Sequence, residues 1–229
     1  TGMRAERRAL AAIEEILGRL VRARDRESEG RDDLFDRIRA RWADVSRNER
    51  EQGIARDHVV IHMRSLSNLI SALSWPLIHL LASPALLERV RAGDDDLLER
   101  ASNEAIRVAQ RSVVARKVHR PMEIGDEQRT YRVAPGAYVA TLLSFTNTRS
   151  LPGLDRFDPA HYRGRTFARR DELAARELVT TFGHGRHACP AQRFSISAMR
   201  IALRALVDGY ELEPLYRNPA PLRRQIGGV

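Results

Sequence analysis

The densest run of chemically capable residues is Phe182-Gly183-His184-Gly185-Arg186-His187-Ala188-Cys189, a glycine-rich turn that ends on the chain's single cysteine. Apolar residues recur at helical spacing directly after it, at Phe194, Ile196, Met199, Ile201, Leu203, Leu206 and Val207, so the cysteine stands where a helix begins. Gly209 is placed to stop that helix. Glycines at 183 and 185 permit positive φ and let a flat cofactor come close, while the free N–H groups of the helix start favour negative charge on sulfur. A cysteine so placed ionises readily, and a thiolate is a ligand for iron. A lone cysteine is ordinarily a small buried hydrophobe; the turn around Cys189 is what sets it apart. One cysteine cannot form an intrachain disulfide, which fits a reducing cytoplasm.

Glu104 and Arg107 stand three residues apart on a predicted helix, share a face and can pair. Glu88 and Arg91 repeat the spacing, and either pair alone reads as a surface ion pair of little worth.

The elements that must hold these residues are mostly helical. Leu10, Ile13, Ile16, Leu17, Leu20 and Val21 mark a first amphipathic helix, and Leu34, Phe35, Ile38 and Trp42 a second, shorter one after a polar link at 27–31. A long helix is predicted over 54–82, apolar nearly all round and therefore central, with Pro76 as a point where it can kink. Ser83-Pro84 supplies an N-cap and a first-turn proline for another helix, and Asp94 to Asp96 open one that reaches about Arg111. The chain then turns extended: Thr130 to Val133 and Tyr138 to Leu142 flank Pro135-Gly136 and read as a hairpin. From Thr146 to about Arg170 no period is sustained, so this stretch reads as a long functional loop.

Composition narrows the function classes. With 229 residues, 43% of them hydrophobic, the chain can bury a sizeable core. Its formal charge of +9 comes from 39 basic residues of which one, Lys117, is lysine. The 30 acidic residues are interspersed along the same segments, so the charges read as solvated helix faces and no nucleic-acid partner is expected. The stretch from Ser65 to Leu87 has no Asp, Glu, Lys or Arg, but Pro76, the Ser83-Pro84 break and its polar residues argue for a buried helix over a transmembrane segment.

The cysteine turn resembles the haem-binding loop of the cytochrome P-450 family, in which Phe, Gly and a basic residue precede the ligand cysteine; Phe182, Gly185, His187 and Cys189 fill those places. The resemblance implies that haem b (iron protoporphyrin IX) is the cofactor. Cys189 would ligate its iron, Phe182 shield the sulfur and His187 reach a propionate. Ala191 stands where the family has glycine. By the same resemblance Glu104 and Arg107 form the family's buried pair, completed by His161 of Phe157-Asp158-Pro159-Ala160-His161-Tyr162 in place of the commoner arginine. Arg116 falls where a second propionate ligand is expected, and Ser112, Val113, Val114 and Ala115 would line the distal pocket. Counted back from Ser83-Pro84, the acid and threonine of the central helix are here Ser67 and Asn68, and an amide is a poor proton relay.

The resemblance matches only the carboxy-terminal half of a family member. Residues 1–229 are therefore expected to form part of a single haem domain, mainly α with a small antiparallel β region, in the cytoplasm. The expected activity is monooxygenation of a hydrophobic small-molecule substrate with dioxygen. Electrons would come from a ferredoxin or a flavin reductase, whose acidic surface suits Arg186 and Arg193 beside the ligand. Asn68 leaves open a peroxide-using isomerase or dehydratase, and the half-length match a non-catalytic haem-binding remnant.

Overall fold

A computed structural model describes residues 2–27, 30–216 and 219. Ser28 and Glu29 of the predicted polar link, and the tail 220–229, lie outside the described residues. The order is α1 (Gly2–Arg24), α2 (Leu34–Arg41), α3 (Arg47–Leu81), α4 (Pro84–Arg91), α5 (Asp95–Ala109), β1 (Val113–Lys117), β2 (Met122–Gly125), β3 (Thr130–Val133), β4 (Tyr138–Leu142), α6 (Leu143–Arg149), β5 (Tyr162–Arg163), β6 (Thr166–Phe167) and α7 (Gln192–Gly209). Three antiparallel two-stranded ladders pair β1 with β4, β2 with β3 and β5 with β6, so the fold is mainly α with a small β component. The chain divides into two compact units, 1–67 and 68–229.

In the first unit, Val21 of α1, Phe35 and Ile38 of α2 and Ile54 of α3 form a small core, with Leu17 and Trp42 against it. Gly53 lets the Trp42 ring lie on α3, because a Cβ there would come within 2.6 Å of the indole. Leu10, Ile13, Ile16 and Leu20 share the apolar spacing of Val21, yet they are exposed.

In the second unit, Leu80, Val90, Leu97, Leu98, Leu203 and Val207 join the end of α3 to α4, α5 and α7. A second cluster, Ala72, Ile106, Ile196 and Met199, binds the same α3 segment to α5 and α7. Asp94 caps α5 by accepting the Leu97 N–H at 2.9 Å, and Arg204 ties α7 back to the Val90 carbonyl and Asp95. Residues 150–181 wrap around their own core of Leu154, Tyr162, Phe167, Leu173 and Val179.

Several expectations need correction. The predicted hairpin strands do not pair with each other: Pro135-Gly136 does reverse the chain, with Gly136 at φ +89°, but β3 pairs with β2 and β4 with β1. A turn sequence fixes a local reversal and leaves partners to the wider register. The stretch read as one loop begins inside α6 and contains β5 and β6. The long helix starts at Arg47 and is not central along its whole length, since Val60, Ile61, Met63, Leu66 and Ile70 are exposed. Ser83 precedes the first-turn proline without a side-chain capping bond, and α5 stops at Ala109. In α7, Phe194 and Ile201 are exposed while Ile196, Met199, Leu203 and Val207 are buried.

Candidate functional site

The site is built from the turn that precedes α7. Gly183 at φ +73° and Gly185 at φ +63° occupy the left-handed region, where a side chain is strained. A Cβ on Gly183 would meet the His187 carbonyl at 3.4 Å, whereas Gly185 faces open space. The Cys189 N–H closes the turn on the Phe182 carbonyl at 2.7 Å, leaving the thiol half-buried just before α7. Phe182 packs against the Ala72, Ile106, Ile196 and Met199 cluster, as do Leu69 and Leu73 of α3. The thiol turn and the α3 segment beginning at Asn68 are thus anchored on one core cluster. Ala191 adopts φ −87°, an ordinary right-handed value, so the methyl in place of the family's glycine causes no backbone strain.

Glu104 and Arg107 are fully buried on α5 and joined by two bonds, Nε to Oε2 at 2.7 Å and Nη2 to Oε1 at 2.6 Å. Arg107 also donates to the carbonyls of Asn147, Leu154 at 2.7 Å and Arg156 at 3.1 Å. Glu104 Oε1 accepts the Asp158 N–H at 3.0 Å and lies 2.9 Å from His161 Nδ1. The structure therefore brings Glu104, Arg107 and His161 together and pins residues 147–161 to α5. Glu88 and Arg91, the alternative pair, form an exposed bridge. Burial pushes the Tyr162 phenol up, and the Glu104 charge adds to the rise. His79 of α3 stacks on Phe157 at 4.0 Å, where burial lowers its pKa against an opposing pull from Glu104.

The remaining predicted residues are more dispersed. Ser67 and Asn68 are exposed neighbours on α3; the Ser67 hydroxyl donates to the Met63 carbonyl at 2.8 Å. Ser112 leads into β1, in which Val113 pairs with Leu142 and Arg116 with Val139. The pleat turns Val113 and Ala115 to one face and Val114 and Arg116 to the other, so the four pocket candidates cannot all line one surface. Arg116, Arg186, His187 and Arg193 form no ion pair among the described residues. Two hollows of about 320 and 440 Å³, on Trp42 and Gly53 and on Arg31, Arg39 and Arg50, include none of the predicted residues.

Sequence reasoning missed Asn147 and Gln110, both buried and both bonded to the segment leading into the thiol turn. Neither belongs to a pattern of spacing that would single it out.

The donor set fits a haem. One soft thiol at a helix start is the single protein ligand that a porphyrin-held iron needs. The glycine turn leaves room beside it, exposed Phe194 and Val113 offer apolar surface, and the exposed His187 imidazole and Arg116 guanidinium can donate to carboxylates. Among the described residues no three of His, Cys, Asp and Glu gather as a metal-binding cluster, and no single helix is long and apolar enough to cross a membrane.

No protein-family model matches the chain. It is 25% identical over 202 residues to the 25-hydroxycholesterol 7-alpha-hydroxylase of Rattus norvegicus, a match covering 74% of this chain and 49% of that protein. It is 24% identical over 226 residues to cytochrome P-450 monooxygenase gliF of Aspergillus fumigatus, covering 86% and 45%. Among solved structures, one cytochrome P-450 superposes with a TM-score of 0.66 at 21% identity, over 92% of this chain and 54% of that one. Another, from Thermus thermophilus, gives 0.58 at 20% identity, over 79% and 48%. The chain spans about half the length of the curated relatives it matches. Sequence relatives and fold agree with the cysteine turn and the buried Glu104–Arg107 pair: over about half the length of those proteins, this chain is similar to cytochromes P-450 in sequence and in fold.

Proposed function

We propose that this chain carries the haem-binding side of a haem-thiolate monooxygenase acting on a hydrophobic small molecule, with Cys189 as the iron ligand. The observation that carries the reading is the half-buried sole cysteine, held by its N–H on Phe182 in a left-handed glycine turn before α7. Bound there, haem b supplies dioxygen binding and one-electron chemistry, and a thiolate ligand favours O–O cleavage.

The chain's own residues hold and shield. Cys189 provides the ligand sulfur, and the start of α7 stabilises its charge. His187 and Arg116 are suited to the two propionates. Phe182 excludes water from the sulfur side. Asn68 can donate to and accept from an oxygen in the distal space, but its amide has no proton to give up. Ser67 uses its only hydroxyl proton on Met63, so neither residue is a strong relay. Exposed Arg186 and Arg193 next to the ligand suit an acidic ferredoxin or flavin-containing donor. A free thiolate belongs in a reducing compartment, which favours the cytoplasm.

Names of the relatives, a hydroxylase and a monooxygenase, favour oxygen insertion. The weak relay at Ser67 and Asn68 keeps one rival, a peroxide-using isomerase or dehydratase. Product formed per electron consumed, beside a reductase-free assay with a lipid hydroperoxide, separates them. Reductase-dependent product, better coupled in Asn68→Thr, supports the monooxygenase; product from hydroperoxide alone overturns it. Both assays are run with the amino-terminal half of a family member supplied; failure of both in that haem-loaded protein leaves the haem-binding remnant.

A further inference from the structure

Residues 180 and 181 lead directly into the thiol turn, and side chains grip them. Fully buried Asn147 of α6 accepts the Thr180 N–H on Oδ1 at 2.9 Å and donates Nδ2 to the Thr180 carbonyl at 2.9 Å. It treats Thr180 as a neighbouring strand would, satisfying both backbone groups. Nδ2 also reaches Gln110 Oε1 at 3.2 Å and the Arg107 carbonyl at 3.3 Å, while Gln110 donates to the next carbonyl, Thr181, at 3.2 Å. The Asn147 carbonyl itself accepts from the Arg107 guanidinium. One asparagine therefore connects the Glu104–Arg107 anchor to the segment that ends at Phe182, whose carbonyl holds the Cys189 N–H.

We infer that Asn147, with Gln110, is a positioning residue for the Cys189 thiolate. The inference rests on the haem-thiolate reading for its spectroscopic consequence, though not for its geometric one. The clamp fixes where the backbone enters the turn. Without it, buried amide and carbonyl groups at 180 and 181 lose their partners, and the segment opens to find water. The sulfur then samples positions from which it ligates iron poorly and reacts readily with solvent reagents.

The test uses the full chain carrying Asn147→Leu or Gln110→Leu, with Leu98→Ala as a control that weakens the core of α5 and leaves the clamp intact. Cys189 is the sole cysteine, so alkylation by iodoacetamide reports its exposure directly. Asn147→Leu and Gln110→Leu are expected to raise the alkylation rate about tenfold, equivalent to about 1.4 kcal/mol in the opening of the turn. After haem loading, both should move the reduced carbon monoxide complex from the red-shifted thiolate band to the blue-shifted band of a lost thiolate. Leu98→Ala should lower the melting temperature and change neither readout. Should the clamp variants alter melting alone, matching Leu98→Ala in alkylation and spectrum, the inference is overturned. If Asn147→Leu does not fold, Gln110→Leu decides. A wild-type chain that binds haem without the thiolate band defeats the haem-thiolate reading, while the alkylation rates still judge the clamp.

Discussion

Glu104 and Arg107 are ionisable groups at zero exposure, which is stable only when every charge-bearing atom is paired. Arg107 meets that condition: its five N–H donors go to Glu104 twice and to three backbone carbonyls. Replacing Glu104 by Gln keeps the shape but strands the guanidinium, and should lower the unfolding free energy by about 3–5 kcal/mol in chemical denaturation. Glu88→Ala, at the same spacing in an exposed bridge, should change it by less than about 1 kcal/mol. His79 offers a pH test. Burial lowers its folded pKa, so the unfolded chain binds the proton more strongly. Its contribution is full above the ordinary histidine value of about 6.5 and is lost as pH falls below it toward the depressed folded value. The denaturation midpoint should therefore drop between about pH 7.5 and 5.5, and His79→Phe should drop less over the same range; equal slopes would remove His79 from the account.

At the scale of elements, what could be read from sequence were the features encoded locally. Asp94 announces α5 and caps it, and Asp94→Ala should cost about 1 kcal/mol by thermal or chemical denaturation. The carboxylate is held below its usual range first by the Leu97 N–H, so the same loss should appear in wild type as pH falls through that lowered value. The cysteine turn and α7 were legible for the same reason, glycines and a periodic apolar face lying together in sequence. Strand partners were not, because β1 and β4 are separated by β2 and β3 and their register is set by distant contacts. The start of α3 was hidden by its first turns, which are polar but rich in good helix formers and lack an apolar period. α6 was invisible: Leu-Ser-Phe-Thr-Asn-Thr-Arg has neither cap nor period, and so Asn147 went unnoticed. In the first unit, Gly53→Ala should force Trp42 off α3, costing about 1–3 kcal/mol and exposing the indole to a fluorescence quencher.

Across the whole molecule, the same few contacts recur in different roles. One core cluster receives Phe182 from the thiol turn and Leu69 from α3, and one buried ion pair holds residues 147–161 against α5. That arrangement, shared in fold with solved cytochromes P-450 over about half their length, sets the Cys189 thiol beside the start of α7. The proposed ligation of a haem iron by Cys189 is open to a direct test. Its most direct measurement is the reduced carbon monoxide difference spectrum of the haem-loaded chain beside that of Cys189→Ser. The wild type should show the red-shifted Soret band of a thiolate-ligated haem and Cys189→Ser should lack it completely; a variant that keeps the band would mean that Cys189 is not the ligand.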